Sequence, residues 1–169
     1  MAEFKQQMID HIPPLRRYAR ALVNRAESAD DLVQDCLERA WAKQGQWDQA
    51  RPLRPWLFSI LHNVYANQAR KYDRMPSLVS YSQDSISSSA DDVDLTITDL
   101  QRGLDMLSSE HREILLLIGL EQMSYKDTAV VLNIPLGTVM SRLTRARKKL
   151  RELMTDPTIP TMPVIRRIK

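Results

Sequence analysis

Glycine is scarce in this chain, which holds 4 glycines among 169 residues. An average chain of that length would carry about 12. Because many tight turns depend on glycine, the scarcity favours a helix-rich fold over a β-sandwich or barrel. It also excludes a glycine-rich phosphate-binding loop. With 43% apolar residues, the chain can form hydrophobic cores and is too apolar to be disordered throughout.

Charge is distributed unevenly along the chain, although the net formal charge is only +3. The segment 73–107 carries 2 basic and 7 acidic side chains, whereas both flanking segments are mildly basic. Seven serines lie between Ser77 and Ser89, and this composition is typical of linkers. We therefore predict an all-α protein with two small helical domains, residues 1–75 and 96–154, a flexible acidic and serine-rich linker over 76–95, and a proline-rich C-terminal tail over 155–169.

Several functional classes are excluded by simple features of the sequence. The single Cys36 excludes an internal disulfide framework and a multi-cysteine zinc site. The longest apolar run, Ile114 to Leu120, is far shorter than the ~20 residues that span a bilayer, and the N-terminus lacks the apolar centre of a secretion signal. The three histidines are scattered, with no Ser-His-acid arrangement. We expect a cytoplasmic, non-membrane protein that is not an enzyme and binds no metal or cofactor.

An acidic stripe marks the second predicted helix of the first domain, over about residues 29–44. Asp31, Asp35 and Glu38 follow i, i+4, i+7 spacing, so their carboxylates share one face, and Gln34 lies beside them. Two interpretations are open. The stripe is either a solvated helix face or a docking surface for a basic partner.

A polar face also marks the third predicted helix, which begins at about residue 55. Asn63, Asn67 and Arg70 repeat the same spacing, with Lys71 adjacent. Amides and cations on one face suit hydrogen bonding to base edges and phosphates, although polar helix faces are common. In the loop before this helix, Trp47 is interpreted either as a core residue or as a platform for base stacking.

The second domain contains the pattern of a helix-turn-helix. Ser124 to Asp127 form a capping box before a short helix, residues 134–137 are predicted as a turn, and a basic helix follows over about 138–154. In that motif the second helix enters the major groove. A solvated basic helix in a bundle is the alternative. The polar positions that face away from the predicted core or flank that face include Ser141, Arg142, Thr144, Arg145, Arg147 and Lys148.

Two stretches taken together resemble a known family. ADDLVQDCLERAW followed by RPWLFSILHN is similar to region 2 of bacterial sigma factors. LSSEHREILLLIGLEQMSYKDTAVVLNIPLGTVMSRLTRARKKL is similar to region 4. Only these two regions are present, which resembles the compact extracytoplasmic-function (ECF) class. The match covers about residues 28–72 and 104–151, so the first domain corresponds to region 2 and the second to region 4.

The resemblance implies a sigma factor that binds core RNA polymerase, recognises the −10 and −35 promoter elements and promotes DNA melting. It implies docking on the clamp helices of the largest subunit and on the flap, contact with duplex and single-stranded promoter DNA, and, by analogy, an anti-sigma partner. The implied polymerase-binding positions are Asp31, Gln34, Asp35 and Glu38. The implied −10 positions are Trp47, Arg51, Asn63, Asn67, Arg70 and Lys71. The implied −35 positions are Thr138, Met140, Ser141, Arg142, Thr144, Arg145, Arg147 and Lys148.

Two other functions remain open. One is a stand-alone helix-turn-helix regulator that binds a palindromic duplex as a dimer. The other is a sigma-like decoy that sequesters an anti-sigma protein. The region 2 resemblance argues against the first, and the basic recognition helix argues against the second, since a decoy has no need of DNA-reading cations.

Overall fold

The structure, a computed structural model, describes residues 2–73 and 95–155 and is helical within those ranges, with no strand. The all-α prediction is confirmed. The predicted linker and tail lie outside the described residues, except that Leu95 begins one helix and Thr155 ends another. The helices are α1 (Ala2–Asp10), α2 (Ile12–Val23), α3 (Ala26–Ala42), α4 (Leu53–Asp73), α5 (Leu95–Asp105), α6 (Ser109–Leu115), α7 (Tyr125–Leu132) and α8 (Leu136–Thr155).

The first domain, which resembles region 2, comprises α1 to α4, and its helix boundaries follow local chemistry. Prolines in the first turn of α2 are tolerated there, and Asn24 ends that helix in the left-handed conformation with φ 50°. α3 begins at Ala26 and ends at Ala42, so it starts earlier than the predicted residue 29 and ends before the predicted residue 44. α4 begins at Leu53, two residues before the predicted Pro55, because proline is also accepted in a first turn.

The second domain, which resembles region 4, comprises α5 to α8 and has side-chain caps on two helices. The Ser108 Oγ accepts a hydrogen bond from the His111 backbone N–H at 3.4 Å, and the Ser124 Oγ accepts one from the Asp127 backbone N–H at 3.0 Å. The Ser124 cap confirms the predicted start of α7. Asn133 ends α7 with φ 51°.

The predicted turn over residues 134–137 is wrong at its second half. α8 already begins at Leu136, because the Pro135 carbonyl accepts hydrogen bonds from the backbone N–H groups of Thr138 at 3.0 Å and Val139 at 3.1 Å. The turn therefore ends at Pro135, and Gly137 is helical.

A π-helical segment, Leu116–Leu120, directly follows α6. The backbone N–H of Glu121 bonds to the Leu116 carbonyl at 2.9 Å, five residues back, and Gln122 adopts φ 51°. Single π turns inside helices are frequent at functional sites, and a positive φ is uncommon for a residue other than glycine. Here they immediately flank Glu121.

One hydrophobic core runs through both regions. α4 packs against α7, and α2 packs against the π segment, so region 4 lies directly on region 2. The rings of Tyr18 and Phe58, both fully buried, meet edge to face at 5.3 Å between centroids. The sequence predicted two domains but not this contact between them.

Candidate nucleic-acid and partner interfaces

The acidic stripe of α3 faces solvent. Asp31, Gln34 and Glu38 are exposed and Asp35 is half-buried, while the opposite side of the helix is buried in the core. The Gln34 Nε2 donates to the Glu38 Oε1 at 3.1 Å, and the Gln68 Nε2 donates to the Asp35 Oδ2 at 3.3 Å. These amide contacts hold the carboxylates in place without neutralising their charge. The stripe is therefore a negative surface able to receive cationic side chains.

The polar face of α4 is exposed at each of its predicted positions whose side chain is described. Asn63, Asn67 and Arg70 are all exposed, and Lys71 continues the helix. The buried side carries Leu61 and its neighbours, which fix the rotation of the helix. The exposed Asn63, Asn67 and Arg70 side chains therefore all belong to one helix.

The loop before α4 holds Trp47 against the core. Its ring lies 5.7 Å from that of Phe4, and its indole Nε1 is buried with no hydrogen-bond partner among the described residues. The structure thus places Trp47 in the core position, one of the two alternatives. Arg51 is exposed and its Nε lies 3.3 Å from the Asp48 Oδ2. Its side chain is therefore open to solvent.

The basic helix α8 is anchored on one side and open on the other. Val139, Leu143 and Ala146 are buried. Arg142 is half-buried and its Nη2 lies 3.4 Å from Glu110 Oε1, which orients its side chain. The remaining predicted −35 positions divide into the exposed Met140, Thr144, Arg145, Arg147 and Lys148 and the half-buried Thr138 and Ser141.

Two side-chain hydroxyls on α8 donate hydrogen bonds to backbone carbonyls one turn earlier in the same helix. The Thr144 Oγ1 donates to the Met140 carbonyl at 3.0 Å, and the Ser141 Oγ donates to the Thr138 carbonyl at 3.2 Å. The exposed cations are consequently the main donors that the outer face presents. Met140, which lies among these cations, can contact a thymine methyl but offers no bidentate hydrogen bonds to guanine.

Two glutamates of region 4 are buried in polar contacts that the sequence did not predict. Glu121 is 2% exposed, and its carboxylate accepts from the Arg17 Nε at 2.9 Å and from the Arg54 Nη2 at 2.9 Å. Glu113 is 4% exposed and its carboxylate is bonded to the His62 Nδ1. Both acids flank the apolar run Ile114–Leu120, and that position at either end of an apolar run is the sequence signal that could have indicated their burial.

Burial and charge shift the pKa values of three side chains. The side-chain hydrogen bond to Glu121, and then the charge of that carboxylate, raise the pKa of Arg17. Burial, reinforced by the negative charge of Glu113, raises the pKa of Tyr18 well above its usual value. Burial likewise raises the pKa of the Cys36 thiol to about 12. None of these shifts produces an activated nucleophile at neutral pH.

Within residues 2–73 and 95–155, no group of three or more His, Cys, Asp or Glu side chains could hold a metal ion. None of the helices in those ranges is both long enough and apolar enough to cross a membrane.

The basic face of α8 belongs to a helix-turn-helix, which defines the class of helix-turn-helix DNA-binding proteins. A second helical domain carries the acidic stripe of α3 and the polar face of α4. Comparison with known proteins identifies the class further. The family model for sigma-70 region 4 matches residues 97–150, and the model for the sigma2 domain of PhyR matches residues 8–62. The ECF RNA polymerase sigma factor EcfG of Rhodopseudomonas palustris is 34% identical over 152 residues, covering 89% of this chain and 84% of that protein.

Solved structures agree with these matches. Sigma factor RpoE of Bartonella quintana, in complex with the anti-sigma factor NepR, is 36% identical with a TM-score of 0.73, covering 91% of this chain and 98% of RpoE. Anti-anti-sigma factor PhyR of the same organism, complexed with NepR, shares the fold at 17% identity and a TM-score of 0.62, covering 88% of this chain and 49% of PhyR. The chain belongs to the ECF family of RNA polymerase sigma factors, which confirms the function that the resemblance implied.

Proposed function

We propose that this sigma factor reads the −35 element with α8 and the −10 element with α4. The observation that carries the proposal is the orientation of α8. Its apolar side is buried in region 4, so Arg145, Arg147 and Lys148 all project to solvent. Exposed cations on the second helix of a helix-turn-helix are positioned for base edges and phosphates in the major groove.

The −10 contact rests on α4, where Asn63 and Asn67 supply exposed amides and Arg70 an exposed cation. Amides pair with adenine edges, and the cation suits a phosphate. Both predicted −10 residues of the preceding loop lie before α4, where Arg51 is exposed and the Trp47 ring packs against Phe4. Unstacking a base costs a few kcal/mol, and capture of the flipped base near this loop offsets part of that cost.

Core polymerase binding is assigned to the stripe Asp31, Gln34, Asp35 and Glu38. Its support is that three of these four side chains are exposed while the helix beneath them is fixed by the core. A rigid row of carboxylates suits docking onto basic helices such as the clamp helices of the largest polymerase subunit. The flap is the corresponding contact expected for region 4.

An anti-sigma protein is the expected regulatory partner. Support comes from RpoE of B. quintana, whose solved structure contains the anti-sigma factor NepR. Such a partner would compete with polymerase and DNA for the exposed faces of regions 2 and 4. We further assign the chain a regulatory and not a catalytic role, in the cytoplasm where its polymerase works.

A decoy function is the second candidate, because residues 8–62 match the sigma2 domain of PhyR. PhyR is itself an anti-anti-sigma factor. A decoy would bind an anti-sigma protein but would not direct transcription. The stand-alone regulator is the third outcome and would bind duplex DNA without polymerase.

Run-off transcription with purified core polymerase and a promoter library separates these three functions. We expect specific initiated transcripts only when the chain is added, and co-elution with core polymerase on size exclusion. Neither transcripts nor co-elution, with retained binding of an anti-sigma protein, would establish the decoy. Duplex binding as a dimer without polymerase would establish the stand-alone regulator.

A further inference from the structure

Arg142 differs from the other cations near the predicted DNA-reading face of α8. Its side chain is 26% exposed, and its Nη2 lies 3.4 Å from the Oε1 of Glu110. Arg145, Arg147 and Lys148 are exposed, and none of the three has an ion-pair partner in the described part of the chain. Arg142 is therefore the cation of this group that an acid already occupies.

The acid that occupies Arg142 belongs to a different helix. Glu110 lies in the first turn of α6, whose start is capped by Ser108 and whose Ile114 is buried in the core. α6 packs against α8, so the pair joins two helices of region 4. Because α6 is fixed by its cap and its core residues, Glu110 holds the guanidinium of Arg142 at a defined place.

Arg142 occupies the flank of α8 and not its outer face. Val139, Leu143 and Ala146 form the buried side of the helix, and at 3.6 residues per turn Arg142 lies beside that side. Its low exposure shows that protein covers most of the side chain, as is common for the apolar stem of an arginine. To reach a DNA phosphate, Arg142 would have to give up both the ion pair and this cover.

We propose that Glu110 withholds Arg142 from duplex DNA, and thereby sets the strength and the salt dependence of α8 binding without changing which bases are read. The inference rests on the proposed −35 reading by α8 and adds to it a residue outside the recognition helix. Carboxylates and phosphates both accept hydrogen bonds from a guanidinium, so Glu110 competes with a phosphate for Arg142. Phosphate contacts carry no sequence information, so withholding one lowers the affinity for every duplex.

The test measures duplex binding of the full chain by fluorescence anisotropy over a series of salt concentrations. The probes are a −35 duplex and a mixed-sequence duplex. Glu110→Gln is compared with the parent and with Asp99→Asn. The control is matched, because Asp99→Asn also removes one carboxylate of region 4 and also frees an arginine, Arg102, whose Nη1 lies 3.6 Å away, but on α5 and not on α8.

We expect Glu110→Gln to raise the affinity for both duplexes by about two- to fivefold, the range set by a surface ion pair. The slope of log affinity against log salt should steepen by about 0.9, the value for one added phosphate contact. Asp99→Asn should bind like the parent, and base preference should be the same in all three proteins. Unchanged affinity and slope in Glu110→Gln would overturn the proposal.

Arg142→Gln separates release of the arginine from loss of a negative charge. If Glu110 acts by holding Arg142, Glu110→Gln gains no affinity in the Arg142→Gln background. An equal gain in both backgrounds would show that Glu110 acts only as a charge near DNA, and the proposal would be wrong. Should Arg142→Gln fail to fold by circular dichroism, Glu110→Asp replaces it, because it keeps the charge and shortens the reach. A Glu110→Asp protein that binds like the parent then refutes the proposal.

The mixed-sequence duplex keeps this test apart from the test of −35 reading. If the parent binds both duplexes equally, α8 does not read the −35 element, yet the coupling between Glu110 and Arg142 is still measured. If the parent prefers the −35 duplex and the coupling is absent, only the withholding of Arg142 fails.

Discussion

The carboxylate of Glu121 and the guanidinium of Arg17 form two hydrogen bonds, of 2.8 and 2.9 Å, across 104 residues of sequence. Each residue belongs to a different sigma region. The π segment and the left-handed Gln122 position the acid, and the first turns of α2 position the arginine. This pair shows that the two regions form one body in this structure, with consequences for how the factor meets its promoter.

Arg145 provides the sharpest test of −35 reading. Arg145→Ala is expected to weaken binding to a −35 duplex by about 1–3 kcal/mol and to relax base preference at one position, as for a base-contacting arginine. The measurement is fluorescence anisotropy with a set of single-base variants of the duplex. Arg25→Ala, which removes an exposed cation from region 2, is the control and should change little. Unchanged affinity and unchanged preference would remove Arg145 from the interface.

The acidic stripe is tested by charge reversal. The double variant Asp35→Lys and Glu38→Lys should abolish co-purification with core polymerase, because cations then face the basic clamp helices. Asp10→Lys, an exposed reversal on α1, is the control and should leave complex formation intact. A stripe variant that melts like the parent and still binds core would contradict the assignment.

Thr128 carries an unsatisfied polar group in the core of region 4. It is fully buried, and its Oγ1 has no hydrogen-bond partner in the described part of the chain. Thr128→Val is expected to raise the free energy of unfolding by about 1 kcal/mol, because a buried unpaired hydroxyl is removed. The matched reverse change, Val131→Thr, should lower it by about 1–3 kcal/mol. Denaturant titration measures both, and a destabilised Thr128→Val would indicate a bonded hydroxyl.

The buried thiol of Cys36 is expected to lower the free energy of unfolding at alkaline pH. Its pKa is raised from 9.0 to about 12 by burial, so below pH 9 both the folded and unfolded states keep the proton. Between pH 9 and 12 only the unfolded thiol ionises, and the unfolding free energy falls by up to about 1.4 kcal/mol per pH unit. Cys36→Ala should reduce this slope, whatever its effect on absolute stability. An identical slope in parent and variant would show that the thiol titrates normally.

Local sequence determined much of this molecule. The i, i+4, i+7 spacings on α3 and α4 and the stripe of α8 specify which side chains share a helix face, because helical geometry alone sets that relation. The cap at Ser124 depends only on residues three positions apart. These features made the all-α fold and the three candidate faces predictable before any tertiary contact was known.

Only the tertiary structure decided how the two regions meet. Tertiary packing also decided the place of Trp47, whose ring packs against that of Phe4, 43 positions away. The burial of Glu113 and Glu121 depends on His62, Arg17 and Arg54, which no local periodicity connects to them. A helix face is set by neighbours a turn away, whereas an ion pair between domains is set by the mutual position of whole helices, and that position is a property of the assembled core.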